Sequence, residues 1–286
     1  MTRLAVGLRL AILGVVLAVT AALQAVALRF GWSVRHTLPM RFHRVFLRLF
    51  GVRVIERGTP PDGTATLVLA NHVSWLDIPV IGSLRPLSFI AKSEIEGWPV
   101  VGRMAKLQRS VFIDRARRKS TAEVNEAVAS RLADGEVIVL FPEGTTSDGN
   151  RILPFRSSLV GAARAALAEP AAGPVLLQPL AIAYTRRHGL PVTRRDRPFI
   201  AWYADMALGP HLARFLGDNV LDVIVTWGEP MPFDGDRKRA TALAEAAVRR
   251  AIRAGGREAP LFSGAPKPLK DGASVSGPQD DARAPC

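Results

Sequence analysis

The 286-residue chain has a single cysteine, Cys286, at its last position. No disulfide can form within it, which points to a reducing compartment for the folded part. A terminal cysteine is also misplaced for prenylation, which needs the fourth position from the end. The five histidines, His36, His43, His72, His188 and His211, are scattered without zinc-site spacing, so no metal is expected. No Gly-x-Ser-x-Gly stretch occurs, which argues against an α/β-hydrolase with a serine nucleophile. Tyrosine is nearly absent, with Tyr184 and Tyr203 alone, so the stacking aromatics of a nucleic-acid binder are scarce. Acidic residues are also in deficit: 25 Asp and Glu stand against 38 Lys and Arg, a formal charge of +13. That excess favours polyanionic partners, whether an anionic bilayer face, phosphate groups, nucleic acid or an acidic carrier protein.

What the chain does have begins with an apolar run. Residues 10–28, LAILGVVLAVTAALQAVAL, carry no charge. At about 1.5 Å per helical residue this run approaches the roughly 30 Å of a bilayer's hydrocarbon core. A cleaved signal peptide is the competing reading, favoured by Ala25-Val26-Ala27, but the run is long for that and the triplet lies inside it. The expectation is a retained anchor. In the following stretch Phe42, Phe46, Leu49 and Phe50 interleave with Arg41, His43, Arg44 and Arg48. This reads as a basic amphipathic helix in the membrane interface; alternatively its aromatic face packs on the domain. Positive charge is denser after the anchor than before it, which places the globular part in the cytoplasm.

From residue 65 to 228 short apolar runs alternate with helix-like stretches. The expected strands are 65–70, 87–92, 110–114, 136–141, 176–183, 199–205 and 222–228, with helices near 119–133, 156–168 and 238–254. The pattern predicts a single α/β domain with a largely parallel or mixed central sheet flanked by helices. The boundaries drawn are 1–50 for the anchor and amphipathic helix, 51–258 for the domain, and 259–286 for a tail rich in Pro, Gly and Ser that reads as disordered.

Three polar clusters fall where strands end, the usual place for sites in open α/β sheets. They are Asn71-His72 with Asp77, Asp114-Arg115, and FPEGTTSDG at 141–149. On one regular helix His72 and Asp77 would lie roughly 140° apart. With His72 in a loop and Asp77 in the first helical turn, the loop can fold back, and Pro79 suits that first turn. His72 could then give its Nδ1 proton to Asp77 and keep Nε2 free as a base. Ser74-x-x-Asp77 fits a helix-start signature, so Ser74 reads as local structure. Arg115 suits a bidentate anion contact, and Gly144 permits a tight turn.

These residues resemble the glycerolipid acyltransferase family of 1-acyl-sn-glycerol-3-phosphate acyltransferase. The family's Asn-His-x-x-x-x-Asp block is met by Asn71, His72 and Asp77. Its Gly-x-x-Phe-Ile-x-Arg block runs from residue 109 to Arg115, with Arg109 where the family has glycine. Phe-Pro-Glu-Gly-Thr-(Arg/Thr)-Ser is intact at 141–147, and an apolar block surrounds Pro179. The stretches LQRSVFIDR, FPEGTTSDGNRILPFRSSL and WYADMALGPHL look more like the branch that acylates lyso-ornithine lipid. The resemblance implies a membrane-bound O-acyltransferase without cofactor, using acyl-acyl carrier protein or acyl-CoA as donor. Lyso-ornithine lipid or 1-acyl-sn-glycerol-3-phosphate would be the acceptor, with no acyl-enzyme. His72 and Asp77 would be catalytic; Asn71, Arg115, Glu143, Gly144 and Thr145 would bind the acceptor. It also implies an inner-membrane protein with its catalytic domain facing the cytoplasm, in contact with membrane lipids and acyl carrier protein and not with nucleic acid. The competing reading, from the charge alone, is a non-catalytic basic protein that binds membranes or nucleic acid.

Overall fold

The computed structural model describes residues 3–62, 64–113, 128, 130–132, 134–160, 175–217 and 220–257. Helix α1 (Arg3–Arg29) is followed by a 3-10 turn and α2 (Leu38–Leu49). Then come β1 (Val52–Arg57), β2 (Thr66–Ala70), α3 (Asp77–Gly82), β3 (Ser88–Lys92), a second 3-10 turn, α4 (Val101–Leu107), β4 (Val111–Ile113) and β5 (Val137–Leu140). Beyond residue 175 lie β6 (Leu176–Arg187), β7 (Leu190–Pro191), α5 (Arg197–Ile200), α6 (Leu208–Gly217), β8 (Leu221–Trp227), β9 (Met231–Pro232) and α7 (Arg237–Arg257).

The strands form one sheet in the order β1-β8-β6-β2-β5-β3-β4, with β7 and β9 also paired to β6. From β6 to β4 neighbours are parallel. β8 runs antiparallel to β6, and β1 follows β8 in parallel, so the sheet is mixed. Alternation along the central strands divides the core. Val68 and Ala70 of β2, with Val139 of β5, join Phe46, Phe50 and Val80 on one face. Leu67, Leu69, Ile138 and Leu140 meet Ala240, Ala244 and Val248 of α7 on the other. Both faces are covered, so every residue of β2 is buried.

Most expected elements stand where the sequence placed them. The 199–205 run does not form a strand: it gives the last residues of α5 and a loop. Pro198 there lacks an N–H for a ladder and suits a helix's first turn. The helix expected near 119–133 falls mostly outside the described residues, as does the tail from 259; the one near 156–168 is helical at 157–160.

Helix α1 is long and apolar enough to cross a membrane. Leu8, Ile12, Val15, Val19 and Leu23 are exposed along it. Its inner side is joined to the domain through Gln24, only 2% exposed, whose Nε2 donates to the carbonyls of Arg35 (2.9 Å) and Leu107 (2.8 Å). The apolar face of α2 packs on the domain, as the second of the two readings had it. Phe46 meets Phe50 and Trp75, and Phe50 meets Phe215. Arg41, Arg44 and Arg48 face outward.

Arg109, the departure from the glycine of the second block, has φ +61. That left-handed conformation favours glycine and costs an ordinary residue about 1–3 kcal/mol. Here Nη2 donates to Glu136 at 2.6 Å and Nη1 meets His36 Nδ1 at 2.9 Å, contacts that glycine lacks and that hold the strained backbone.

Candidate active site

Strand β2 stops at Ala70, but its parallel neighbour β6 continues for seven residues beyond Leu180, the partner of Ala70. Ile182 therefore loses its ladder partner on that side. The carboxamide of Asn71 replaces it: Nδ2 donates to Ile182 O (3.1 Å) and Oδ1 accepts from Ile182 N (2.8 Å). Asn71 is 1% exposed and acts as a backbone clamp. Both ends of its amide are thus engaged inside the fold.

The next residues turn back on themselves. Asp77 opens α3 with no solvent exposure, and its carboxylate gathers the loop. Oδ2 accepts from His72 Nδ1 (2.8 Å), Val73 N (2.7 Å) and Ser74 N (2.9 Å). Oδ1 accepts from Tyr184 Oη at 2.6 Å. Bound to Asp77 through Nδ1, the imidazole of His72 has Nε2 available as a base, with 18% of the side chain exposed. The expected folding-back of loop onto helix start is therefore present. The helix-start signature is only half formed: Asp77 reaches back to the Ser74 amide, but Ser74 Oγ is buried with no hydrogen bond among the described residues. Leu76, not Ser74, precedes the first helical residue.

The 141–149 segment supports this loop from β5. Phe141 stacks on the His72 ring, centroids 4.0 Å apart and planes 14° apart, and Phe89 stacks behind Phe141. Gly144 (φ +75) makes the turn, its N–H donating to Phe141 O at 3.1 Å. Glu143 is turned inward, 1% exposed. Its Oε1 accepts from His72 N (2.8 Å) and its Oε2 from Leu153 N (2.9 Å). Both Glu143 oxygens are thus directed at backbone amides, and they hold the His72 loop in place. Of the described candidates for acceptor binding, Asn71, Glu143 and Gly144 are buried and Thr145 is exposed; Arg115 lies outside the described residues. Among the described residues no group of three or more His, Cys, Asp or Glu side chains is placed to hold a metal.

Burial lifts the Glu143 carboxyl from 4.5 to about 7, and the Asp77 charge pushes the same way, against the two amide donors. Its folded value lies above its unfolded one, so the folded state holds a proton that the unfolded chain releases between pH 4.5 and 7. The stability this group contributes is full below that window and lost across it, by about 3 kcal/mol at 1.4 kcal/mol per unit. Denaturant unfolding at pH 5 and at pH 7.5 should show that decline, and Glu143→Gln should flatten it.

Tyr184 and Phe141 were not singled out from sequence as site residues. Tyr184 lies on the overhanging end of β6, and only the strand register reveals that it reaches Asp77. Burial, then the neighbouring carboxylate, hold its phenol protonated, well above the ordinary value. Tyr184→Phe removes the sole donor to Asp77 Oδ1 among the described residues. Such a buried acceptor left unpaired should lower stability by about 1–3 kcal/mol. Thermal unfolding of the variant beside the parent protein checks this.

Comparison with known proteins agrees with this geometry. The acyltransferase family model matches residues 51–183, which contain all three clusters. The lyso-ornithine lipid O-acyltransferase of Brucella abortus is 46% identical over 237 residues, covering 82% of this chain and 88% of that protein. The chain belongs to the acyltransferase family. A second relative of this acyltransferase, the lyso-ornithine lipid O-acyltransferase of Rhizobium meliloti, is 43% identical over 238 residues, 82% of each chain. The 1-acyl-sn-glycerol-3-phosphate acyltransferase of Neisseria gonorrhoeae is 44% identical over 105 residues, 37% of this chain and 41% of that one. The crystal structure of the 1-acyl-sn-glycerophosphate (LPA) acyltransferase from Thermotoga maritima shares the fold of this acyltransferase. Its TM-score is 0.61 at 21% identity, over 90% of this chain and 98% of that one. The acyltransferase is therefore an enzyme, and the non-catalytic alternative gives way.

Proposed function

We propose that this acyltransferase moves a fatty acyl group from an acyl thioester to the free hydroxyl of a lysolipid, with lyso-ornithine lipid as its acceptor. The observation that carries the reading is the His72–Asp77 pair, 2.8 Å apart with Nε2 left for substrate, in a chain aligned over 82% of its length with two proteins of that name. His72 Nε2 takes the acceptor's hydroxyl proton as its oxygen attacks the thioester carbonyl. The tetrahedral adduct collapses, the carbon–sulfur bond breaks, and the thiolate receives the proton from the imidazolium. An ester and a free thiol result. Asp77 holds the ring in the required tautomer and stabilises its charged form.

Phosphatidate formation from 1-acyl-sn-glycerol-3-phosphate is the second reading, supported by the 44% identity to the Neisseria enzyme over 105 residues. The donor is an acyl-acyl carrier protein or acyl-CoA; both are anionic and suit a chain of charge +13. Helix α1 seats the enzyme in the bacterial inner membrane with the sheet on the cytoplasmic side, where such thioesters are made. Purified protein in detergent micelles, given either donor and each lysolipid, tests the reading by mass spectrometry of the products. Ornithine lipid should form faster than phosphatidate. Absence of acylated lyso-ornithine lipid with both donors would overturn the choice of acceptor.

A further inference from the structure

The contacts already described explain how His72 is held, but one cation at the edge of the site takes no part in them. Arg197, the first residue of α5, is half-buried and has no side-chain hydrogen bond or ion pair among the described residues. Burial lowers its pKa, the mark of a guanidinium drawn partly out of water. A partly desolvated charge of this kind calls for a counter-ion.

Its place is set by Gly149. A Cβ on Gly149 would stand 3.2 Å from Val73 Cγ1, 3.3 Å from Arg197 Cδ and 3.6 Å from Arg197 Nη1. The side chains of the arginine and of the residue after His72 thus meet at the same glycine. The turn bearing Gly149 is itself tied to the catalytic loop, since Ser147 N donates to His72 O at 2.9 Å. Ala201 N donates to Arg197 O (2.7 Å) within the α5 segment, and Trp202 N donates to Val73 O (3.0 Å), tying that segment to the same loop. Thr145, exposed on that turn, adds a hydroxyl.

Two carboxylates face the guanidinium and both are engaged elsewhere. Asp148 accepts from Asn150 N (3.0 Å) and Nδ2 (3.1 Å). Asp196 accepts from Thr193 N (2.9 Å), Thr193 Oγ1 (2.7 Å) and Arg187 Nη1 (3.1 Å). Neither forms an ion pair with Arg197, so its fork of donors remains for a ligand of matching geometry.

We propose that Arg197, beside the turn at 145–149, binds the anionic headgroup of the acceptor lysolipid, a carboxylate or a phosphate. The proposal rests on the lysolipid reading and assigns the acceptor an anchoring group outside the four sequence blocks.

The test measures binding without turnover, in full-length protein carrying His72→Ala. Detergent-solubilised protein is titrated with lyso-ornithine lipid, its carboxyl methyl ester, 1-acyl-sn-glycerol-3-phosphate and 1-monoacylglycerol. Adding Arg197→Gln should weaken binding of at least one of the two free-acid lipids by about 10- to 100-fold, as expected for a lost hydrogen-bonded charge contact. The methyl ester and monoacylglycerol should stay within about twofold, which also shows that the fold is intact. Arg197→Lys should recover part of the loss. A loss confined to lyso-ornithine lipid assigns the carboxylate; one confined to the acylglycerol phosphate assigns the phosphate. Unchanged binding of both free-acid lipids, or an equal loss across all four ligands, overturns the proposal. Failure of the lysolipid reading shows separately, as absence of product from the active enzyme.

Discussion

Replacing His72 with alanine is expected to lower kcat by about 10²- to 10⁴-fold, the usual contribution of a positioned general base. Stability should change little. The imidazole is at the rim of the site, and the hydrogen bonds that shape its loop come mostly from backbone amides. Val73 and Ser74 still donate to Asp77, and the residue 72 amide still donates to Glu143. The variant therefore separates chemistry from architecture. Steady-state rates with saturating donor, alongside thermal unfolding, check both halves. Retention of full transfer by a folded His72→Ala protein would rule out the base mechanism.

Asp77→Asn should fail in both respects. The carboxylate accepts four hydrogen bonds while fully buried, three of them at one oxygen. An asparagine has one carbonyl oxygen, and its amide nitrogen must face donors whichever way it is turned. Oxygen toward the loop leaves –NH2 against the Tyr184 hydroxyl, which could rotate to accept. Oxygen toward Tyr184 sets –NH2 against two backbone amides. Neither orientation retains a charge to stabilise the imidazolium. A buried donor left facing an amide –NH2 has no acceptor, which typically costs about 1–3 kcal/mol. Activity should fall, and the unfolding midpoint should drop with it. A stable Asp77→Asn protein of normal rate would show that the four contacts do not matter.

The contact between His72 and Asp77 was legible in the sequence because its spacing carries geometry. Five residues with a proline two after the aspartate suit a loop turned onto a helix start, and that is how His72 and Asp77 meet. Roles that depend on where strands stop relative to their neighbours were not legible. Asn71 and Tyr184 serve the site because β6 outruns β2, an offset set by pairing that neither segment announces alone. Glu143 sat correctly within its block, but the direction of its side chain depends on the turn at Gly144 and on an amide at Leu153, ten residues on. The run at 199–205 had the composition of a strand, and Pro198 with the closure of α5 overrode it. The reversal of β8 likewise left no mark in its apolar pattern, since a strand buried in a mixed sheet looks alike in either direction.

The carboxamide of Gln24 has a mechanical consequence. By gripping the Leu107 carbonyl in the domain and the Arg35 carbonyl in the turn after α1, it restrains the swivel that an apolar tail on a loose linker would have. A helix that leans to fit a thinner bilayer must carry the sheet with it and change the height of His72 above the lipid surface. Turnover would then depend on bilayer thickness as well as on acceptor concentration, making the catalyst a gauge of the layer whose lipids it completes.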